Sequence, residues 1–348
     1  MGTSYTKSKN LKDRRVIKLL ALKDGRLSAV FEDEIEIYSK NNLELEISIE
    51  GKENLKNLTQ LNNGNLIISF HDKIKFNDII KMTKIISLKE KSYNIEQELE
   101  NEFYSEKILE KDDCLYSFEQ NSFHYEQGEI KSCINIYKKF IDNNKYRKIA
   151  SINNFNKLQN QNWSWFIDAC FINNNEVMLV LSNGIKFLNI NNPNYSNEIT
   201  NYHNEHQVHF GSQTSGDFIS NLNNNSYLIG GDNKFYIVDA VRYNINLIIQ
   251  LEEENKIIKE IKKDFNNQIL VIMDNKYRSM KDRYRKYDYF CVYKYESDKL
   301  EKISELKEEN KYIDLFEILD DNQVVFLMHL YISYFSYERN TYLNILSY

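Results

Sequence analysis

The sequence predicts an all-β fold built from a repeated unit of four short strands, and three observations predict it. Residues 16–51 contain four short segments that are apolar or that alternate apolar with polar residues, with tight turns between them. This period and these turns are typical of antiparallel sheet. The same turns recur farther along the chain at a fixed spacing, and the 25 Tyr and 19 Phe favour strands.

The first unit runs from Val16 to Gly51. Its predicted strands are Val16–Leu22, Arg26–Phe31, Ile35–Tyr38 and Leu43–Ile49. Turn residues separate the first three strands, at Lys23-Asp24-Gly25 and at Glu32-Asp33-Glu34. Four strands in about 35 to 40 residues is the size of one blade of a β-propeller.

A second unit begins near Leu55 and repeats both turns of the first. The offset is 39 residues, from Leu22 to Leu61 and from Phe31 to Phe70. Its predicted strands are Leu58–Leu61, Leu66–Phe70, Ile74–Phe76 and an outer strand around Thr83–Leu88. A pair of turns repeated at one period is stronger evidence for a blade than any single strand.

Further units complete a propeller of seven four-stranded blades, with six or eight as alternatives because the turns around residues 89–160 can be divided in more than one way. The predicted domains are a basic N-terminal tail, residues 1–15, and a single propeller, residues 16–348. Two closures of the last blade stay open: Tyr342–Leu346 completes it alone, or the N-terminal segment adds a strand. The predicted extents of the other blades are 102–155 for blade 3, 171–190 for blade 4, 222–239 for blade 5, 256–309 for blade 6 and 315–346 for blade 7.

The repeated phrase resembles degenerate WD40-type repeats, most clearly over residues 16–88 and 165–250. In that family an Asp caps the turn between the second and third strands, and its place here is taken by Asp33, Asp72 and Asp232. The pattern departs from the family in that Ile37-Tyr38 or Val238-Asp239 replaces the Trp-Asp ending and no regular Gly-His opening exists. The resemblance implies an interaction scaffold without naming its partner.

Charge and cysteine content exclude several classes of protein. The net charge of −6 argues against a polyanion binder, so no DNA partner is expected. The four cysteines are scattered without a C-x-x-C pair, which indicates reduced thiols in an intracellular protein rather than zinc or redox sites. No apolar run approaches the length of a membrane span, and no signal-peptide core is present, so a cytoplasmic protein without a transmembrane segment is expected.

In a propeller blade, the links to neighbouring blades and the turns between second and third strands emerge on one face. Three unusual features fall on such segments, and together they predict a binding face. They are the only two tryptophans, Trp163 and Trp165; three histidines, His203, His206 and His209; and an insertion over 275–288 with Tyr277, Arg278, Lys281, Arg283, Tyr284 and Arg285.

Each feature also has a structural interpretation. The tryptophans point the same way along a strand and either pack in the core or rim or form a ligand platform. The histidines are weak candidates for zinc ligands, since asparagine-rich loops collect polar residues by chance. The insertion either grips a phosphate, an acidic or phosphorylated segment or RNA through Arg and Tyr, or is a solvated hairpin tip.

Motifs of catalysis are missing from the sequence: it has no phosphate-cradling Gly loop, no G-x-S-x-G and no H-E-x-x-H. The predicted function is therefore a non-catalytic scaffold, without a cofactor, that binds a protein partner through one face. The alternative is a propeller enzyme or small-molecule binder that uses single acids or histidines around the central channel.

The N-terminus predicts a lipid anchor. Met1-Gly2-Thr3-Ser4-Tyr5-Thr6 fits the myristoylation pattern at Gly2, and a cluster of lysines and arginines follows it through Lys18. One acyl chain binds a bilayer marginally, and a basic cluster supplies the second signal for stable attachment. The alternative to this peripheral membrane contact is an ordinary polar tail or a cloning scar.

Overall fold

The computed structural model describes residues 5–12, 14–40, 42–51, 55–74, 78–100, 104–120, 132–158, 164–200, 202, 218–223, 225–231, 233–251, 256–264, 266–275, 289–296, 299–307, 311–320, 323–331 and 339–347. These residues form 28 β-strands in seven four-stranded sheets, which are the seven blades of a β-propeller. The predicted fold class and blade number are therefore confirmed. Contacts along the backbone divide the chain into two compact units, one of Met1–Ala21, Lys40–Leu43 and Asn201–Tyr348, the other of Leu22–Ser39 and Glu44–Thr200.

Within each sheet the strands follow one another from the first to the fourth, and the last sheet takes its fourth strand from the N-terminus. The strands of the first half of the chain are β1 (Tyr5–Lys12), β2 (Val16–Ala21), β3 (Leu27–Phe31), β4 (Glu34–Tyr38), β5 (Leu45–Glu50), β6 (Leu55–Gln60), β7 (Leu66–Ile74), β8 (Asp78–Leu88), β9 (Tyr93–Glu100), β10 (Tyr104–Lys111), β11 (Cys114–Gln120), β12 (Ser132–Phe140), β13 (Lys145–Asn153) and β14 (Phe166–Phe171).

The remaining strands complete blades 4 to 7. They are β15 (Glu176–Leu181), β16 (Gly184–Asn189), β17 (Ser196–Ile199), β18 (Ile219–Asn221), β19 (Ser226–Gly230), β20 (Lys234–Asp239), β21 (Asn244–Gln250), β22 (Lys256–Lys263), β23 (Gln268–Asn275), β24 (Tyr289–Glu296), β25 (Lys299–Lys307), β26 (Lys311–Asp320), β27 (Gln323–Tyr331) and β28 (Arg339–Ser347).

The turn that repeats with an offset of 39 residues has the same hydrogen bonds in both blades. The amide of Leu22 donates to the carbonyl of Arg26, and the amide of Leu61 donates to that of Asn65, at 2.8 Å in each case. Gly25 and Gly64 occupy the same left-handed conformation, with φ of 87° and 89°, which glycine adopts without steric cost. The sequence repeat therefore reports a repeated backbone geometry.

The second repeated turn differs between blades. Asp33 lies between β3 and β4, and its carbonyl accepts a 2.7 Å bond from the amide of Gly51. Asp72 does not lie in a turn, because β7 continues to Ile74 and pairs Asp72 with Ile80 of β8. The longer ladder pairs more backbone groups than an earlier turn would. A separate strand at Ile74–Phe76 was therefore a wrong prediction, and Asp232 lies outside the described residues.

The N-terminal segment adds a strand to blade 7. Strand β1 pairs antiparallel with β28, from Tyr5 opposite Leu346 to Lys12 opposite Thr341. Leu11 is buried, and the Lys9 ammonium donates to the carbonyl of Leu43 at 3.0 Å. The prediction of a tail over residues 1–15 is therefore wrong for residues 5–12, because the open edge of β28 offers backbone partners to them.

Candidate functional site

Each blade has two edges. The link edge bears the links between blades and the turns between second and third strands, and the hairpin edge bears the two other turns. The innermost strand of five blades is interrupted by a one-residue bulge near its beginning, where one residue has no partner in the second strand. The unpartnered residues are Lys56, Glu106, Ile167, Lys259 and Asp314.

In blades 2 to 4, the polar residue that follows each bulge reaches the next blade. The Asn57 side-chain amide donates to the carbonyl of Glu106 at 3.0 Å. The Lys107 ammonium lies 2.9 Å from a carboxylate oxygen of Asp168, whose side chain is 3% exposed. A buried carboxylate is costly without a partner, so this ion pair fixes blade 3 against blade 4.

A second buried cluster joins the inner strands of blades 6 and 7. The Lys262 ammonium lies 3.1 Å from Glu260, 2.8 Å from Glu317 and 2.8 Å from the carbonyl of Phe316. The amide of Phe316 donates to the second oxygen of Glu260 at 3.2 Å. The cluster contains two carboxylates and one ammonium, and all three side chains are less than 15% exposed.

Lysines also join neighbouring blades at the hairpin edge. The Lys23 ammonium donates to the carbonyls of Leu61 and Asn62, at 3.1 Å each, in the first turn of blade 2. Lys111 donates likewise to the carbonyl of Asn173 in blade 4, at 2.5 Å. Carbonyls of a turn lack partners in the ladder, so a lysine from the neighbouring blade satisfies them.

The link between blades 3 and 4 is fixed by a buried asparagine. The hydroxyl of Ser132, at the start of β12, donates to the Asn156 side-chain carbonyl at 2.6 Å. The Asn156 side-chain amide donates to the carbonyl of Ser164 at 2.9 Å, and the amide of Ser164 donates back to the carbonyl of Asn156 at 3.3 Å. Asn156 therefore clamps the two ends of the segment 157–163.

Trp165 follows this clamp directly and is half-buried. Its amide donates to the Ser182 hydroxyl at 3.1 Å, and the amide of Ser182 donates to the carbonyl of Trp165 at 2.8 Å. The amide of Phe166 donates to the Gln120 side-chain carbonyl at 2.9 Å. We call the set Gln120, Ser132, Asn156, Ser164, Trp165 and Ser182 the blade 3–4 corner.

Packing beneath the corner supports the same backbone. The ring of Phe166 stacks on that of Phe118, with centroids 5.6 Å apart, and Phe155 meets both rings edge to face. The Lys186 ammonium donates to the carbonyl of Lys157 at 2.8 Å; burial lowers the pKa of Lys186, and Glu198 opposes that shift. The corner therefore presents Trp165 on a well-packed base.

Trp165 alone among the predicted binding residues lies in the described part of the chain. Trp163, the three histidines His203, His206 and His209, the insertion residues Tyr277, Arg278, Lys281, Arg283, Tyr284 and Arg285, and Gly2 lie outside it. Their convergence on one face stays a prediction. The histidine segment does begin next to a fixed point, because the hydroxyl of buried Tyr202 donates to the carbonyl of Gly230 at 3.0 Å.

Sequence reasoning missed the residues that hold the blades and the corner together. Asn156, Asp168 and Glu260 are single polar residues in segments without a motif. Their partners are 24 to 61 positions away along the chain in the case of Ser132 with Asn156 and Lys107 with Asp168. In the described residues no cluster of three His, Cys, Asp or Glu side chains could hold a metal ion, and no helix there could cross a membrane.

Comparisons with known proteins support the fold. No family model and no curated protein matches the sequence. A chain of the crystal structure of the mitotic checkpoint complex is similar over 100% of this chain and 92% of its own length, with a TM-score of 0.60 and 10% identity. The AfRom2 CNH domain is similar over 100% of this chain and 99% of its own, with a TM-score of 0.58 and 10% identity. The resemblance to a WD40-like propeller is confirmed at the level of the fold.

Proposed function

We propose that the protein is a non-catalytic scaffold that binds a protein partner through the link edge of its blades, with Trp165 as one anchor. The observation that supports this proposal is the fixed, half-buried position of Trp165 at the blade 3–4 corner. Aromatic side chains on rigid supports dominate the energy of protein interfaces, because little conformational entropy is lost when they bind. One similar propeller was solved as part of the mitotic checkpoint complex, an assembly by its title.

The alternative function is an enzyme or small-molecule binder that uses the central channel. The inner-strand acids Asp168, Glu260 and Glu317 each lie within 3.1 Å of a lysine ammonium. A carboxylate paired in this way is a poor general base, because the neighbouring cation favours its ionised form and lowers its basicity. This pairing favours the scaffold over the enzyme.

The partner segment that we propose is acidic or phosphorylated. The basis is the sequence of the insertion, whose arginines suit paired oxygens of carboxylates and phosphates. Replacing Arg278, Lys281, Arg283 and Arg285 with Ser should weaken binding of the partner, and unchanged binding would exclude this chemistry.

We also propose a cytoplasmic location with membrane contact through an acylated Gly2. The support is the N-terminal pattern together with the basic residues that follow it, including Lys7 and Lys9 of β1. An intact mass of the native protein should show the acyl adduct, and its absence would remove the anchor.

Affinity purification from native cells tests the scaffold. Full-length protein should retain a stoichiometric partner that mass spectrometry identifies, and Trp165→Ala should lose at least about tenfold of its affinity, as interface anchors do. Tyr195→Ala is the matched control, because Tyr195 is an exposed aromatic residue at the hairpin edge of blade 4. Equal loss in both variants, or an empty eluate from folded protein, would contradict the proposal.

A further inference from the structure

The third and fourth strands of blade 3 form a strongly basic hairpin that the predicted binding residues do not include. We call residues 138–149 the blade 3 hairpin. It contains five basic residues and one acid, in a protein whose net charge is −6. The basic residues are Lys138, Lys139, Lys145, Arg147 and Lys148, and all but the half-buried Lys139 are exposed.

The basic side chains are arranged against the preference of a sheet. Lys138 and Arg147 lie directly opposite each other in the ladder between β12 and β13. Like charges at such a pair repel and destabilise the hairpin. The one acid, Asp142, lies 3.4 Å from Arg147, and both side chains are more than half exposed, so this ion pair contributes little. An external anion would relieve the repulsion.

An apolar side chain stands at the tip of the same hairpin. Ile141 is fully exposed, in a four-residue turn that ends with Asn144 in the left-handed conformation, at φ 56°. Ile149 is half exposed and is the unpartnered residue of a bulge in β13. A single protruding apolar tip surrounded by cations has the pattern of a surface that enters the interfacial region of a bilayer.

We infer that the blade 3 hairpin docks on an anionic membrane surface, with Ile141 entering the headgroup region and the lysines contacting lipid phosphates and carboxylates. Two observations favour lipid over an acidic protein segment. A protein partner needs a pocket or a flat patch that excludes water around an anchor, whereas Ile141 protrudes without a surrounding rim of buried contacts. The bulge at Ile149 also interrupts the edge of β13 that an added peptide strand would use.

This inference is independent of the scaffold proposal, because the hairpin lies on the hairpin edge of blade 3 and Trp165 follows the link edge. It is also separate from acylation, since the test uses protein without an acyl chain on Gly2. The probe is co-sedimentation with vesicles of phosphatidylcholine alone or with about 30% phosphatidylserine, at physiological ionic strength.

The protein should sediment with the phosphatidylserine vesicles and not with phosphatidylcholine alone. Replacing Lys138, Lys145 and Lys148 with Gln should weaken binding on the order of 100-fold, since each charge near an anionic surface contributes about fivefold. Ile141→Ser should weaken it about tenfold, because the tip no longer transfers apolar surface.

The matched control is Val241→Ser. Val241 is exposed in the turn between β20 and β21, which also has four residues and ends in a left-handed residue, Tyr243, but leads into a strand without charged residues. Its binding should equal that of the wild type, and unfolding curves should coincide for all variants. Equal binding by the lysine variant, or no binding by the wild type, would overturn the inference. Retention on polyglutamate resin without vesicle binding would assign the hairpin to an acidic protein instead.

Discussion

Removing the charge of Lys262 should destabilise the protein strongly. Lys262→Met would leave Glu260 and Glu317 on adjacent inner strands without the ammonium that lies 3.1 and 2.8 Å from them. Breaking a buried ion pair by removing one partner costs about 3–5 kcal/mol, since the remaining charges are uncompensated. At about 2.1 cal/mol/K of unfolding entropy per residue, 348 residues shift by about 1.4 °C per kcal/mol, so Tm should fall by about 4–7 °C.

The assay is thermal unfolding of the full chain followed by circular dichroism, with urea unfolding to obtain the free energy. Lys302→Met is the matched control, because Lys302 pairs with Glu305 at 2.8 Å on an outer strand where both side chains are about one-third exposed. It should cost less than about 1 kcal/mol. The triple variant Lys262→Met, Glu260→Gln, Glu317→Gln should recover part of the loss. Equal effects of Lys262→Met and Lys302→Met would refute the reasoning.

Three further predictions concern the N-terminus, the corner and the thiols. Deleting residues 1–12 should lower the free energy of unfolding by at least about 3 kcal/mol and promote aggregation in light scattering, because β28 would lose its partner strand and buried Leu11. Asn156→Ala should cost about 1–3 kcal/mol in urea unfolding, since the carbonyl of Ser164 would lose its donor, and should speed proteolytic cleavage within 157–163. Iodoacetamide at about pH 8, followed by peptide mass spectrometry, should modify half-buried Cys114 faster than Cys291, whose pKa burial and Glu305 raise to about 12; faster reaction of Cys291 would contradict the buried position.

Local signals explain why so much of the fold could be predicted. The first turn of blades 1 and 2 is specified by adjacent residues, Leu22 to Arg26 and Leu61 to Asn65, including a glycine with positive φ. Such a turn reads directly from sequence, and its repeat fixed the period of the blade. The ladder of β7 is different, because its end at Ile74 rather than at Asp72 depends on the length of β8. A partner strand is not visible in the residues of the strand itself.

The candidate site was less accessible to sequence reasoning for the same reason. The Trp pair attracted attention because Trp is rare, and the structure places Trp165 at a packed corner. The residues that fix it, Asn156 and Ser182, belong to the commonest polar types and find partners only through folding. Composition and motif spacing contain no information about such contacts.

The bulges connect the inner strands to the way the blades are held. A bulge releases one residue from the ladder, and the residue after it then faces the neighbouring blade, as Asn57, Lys107 and Glu260 do. Apolar contact between blades is non-directional and tolerates a shift along the strand. A hydrogen bond or ion pair does not, because it weakens steeply once donor and acceptor leave a narrow range of distance and angle. Each polar contact across the inner strands therefore fixes the register between its two blades, which the apolar core alone leaves free.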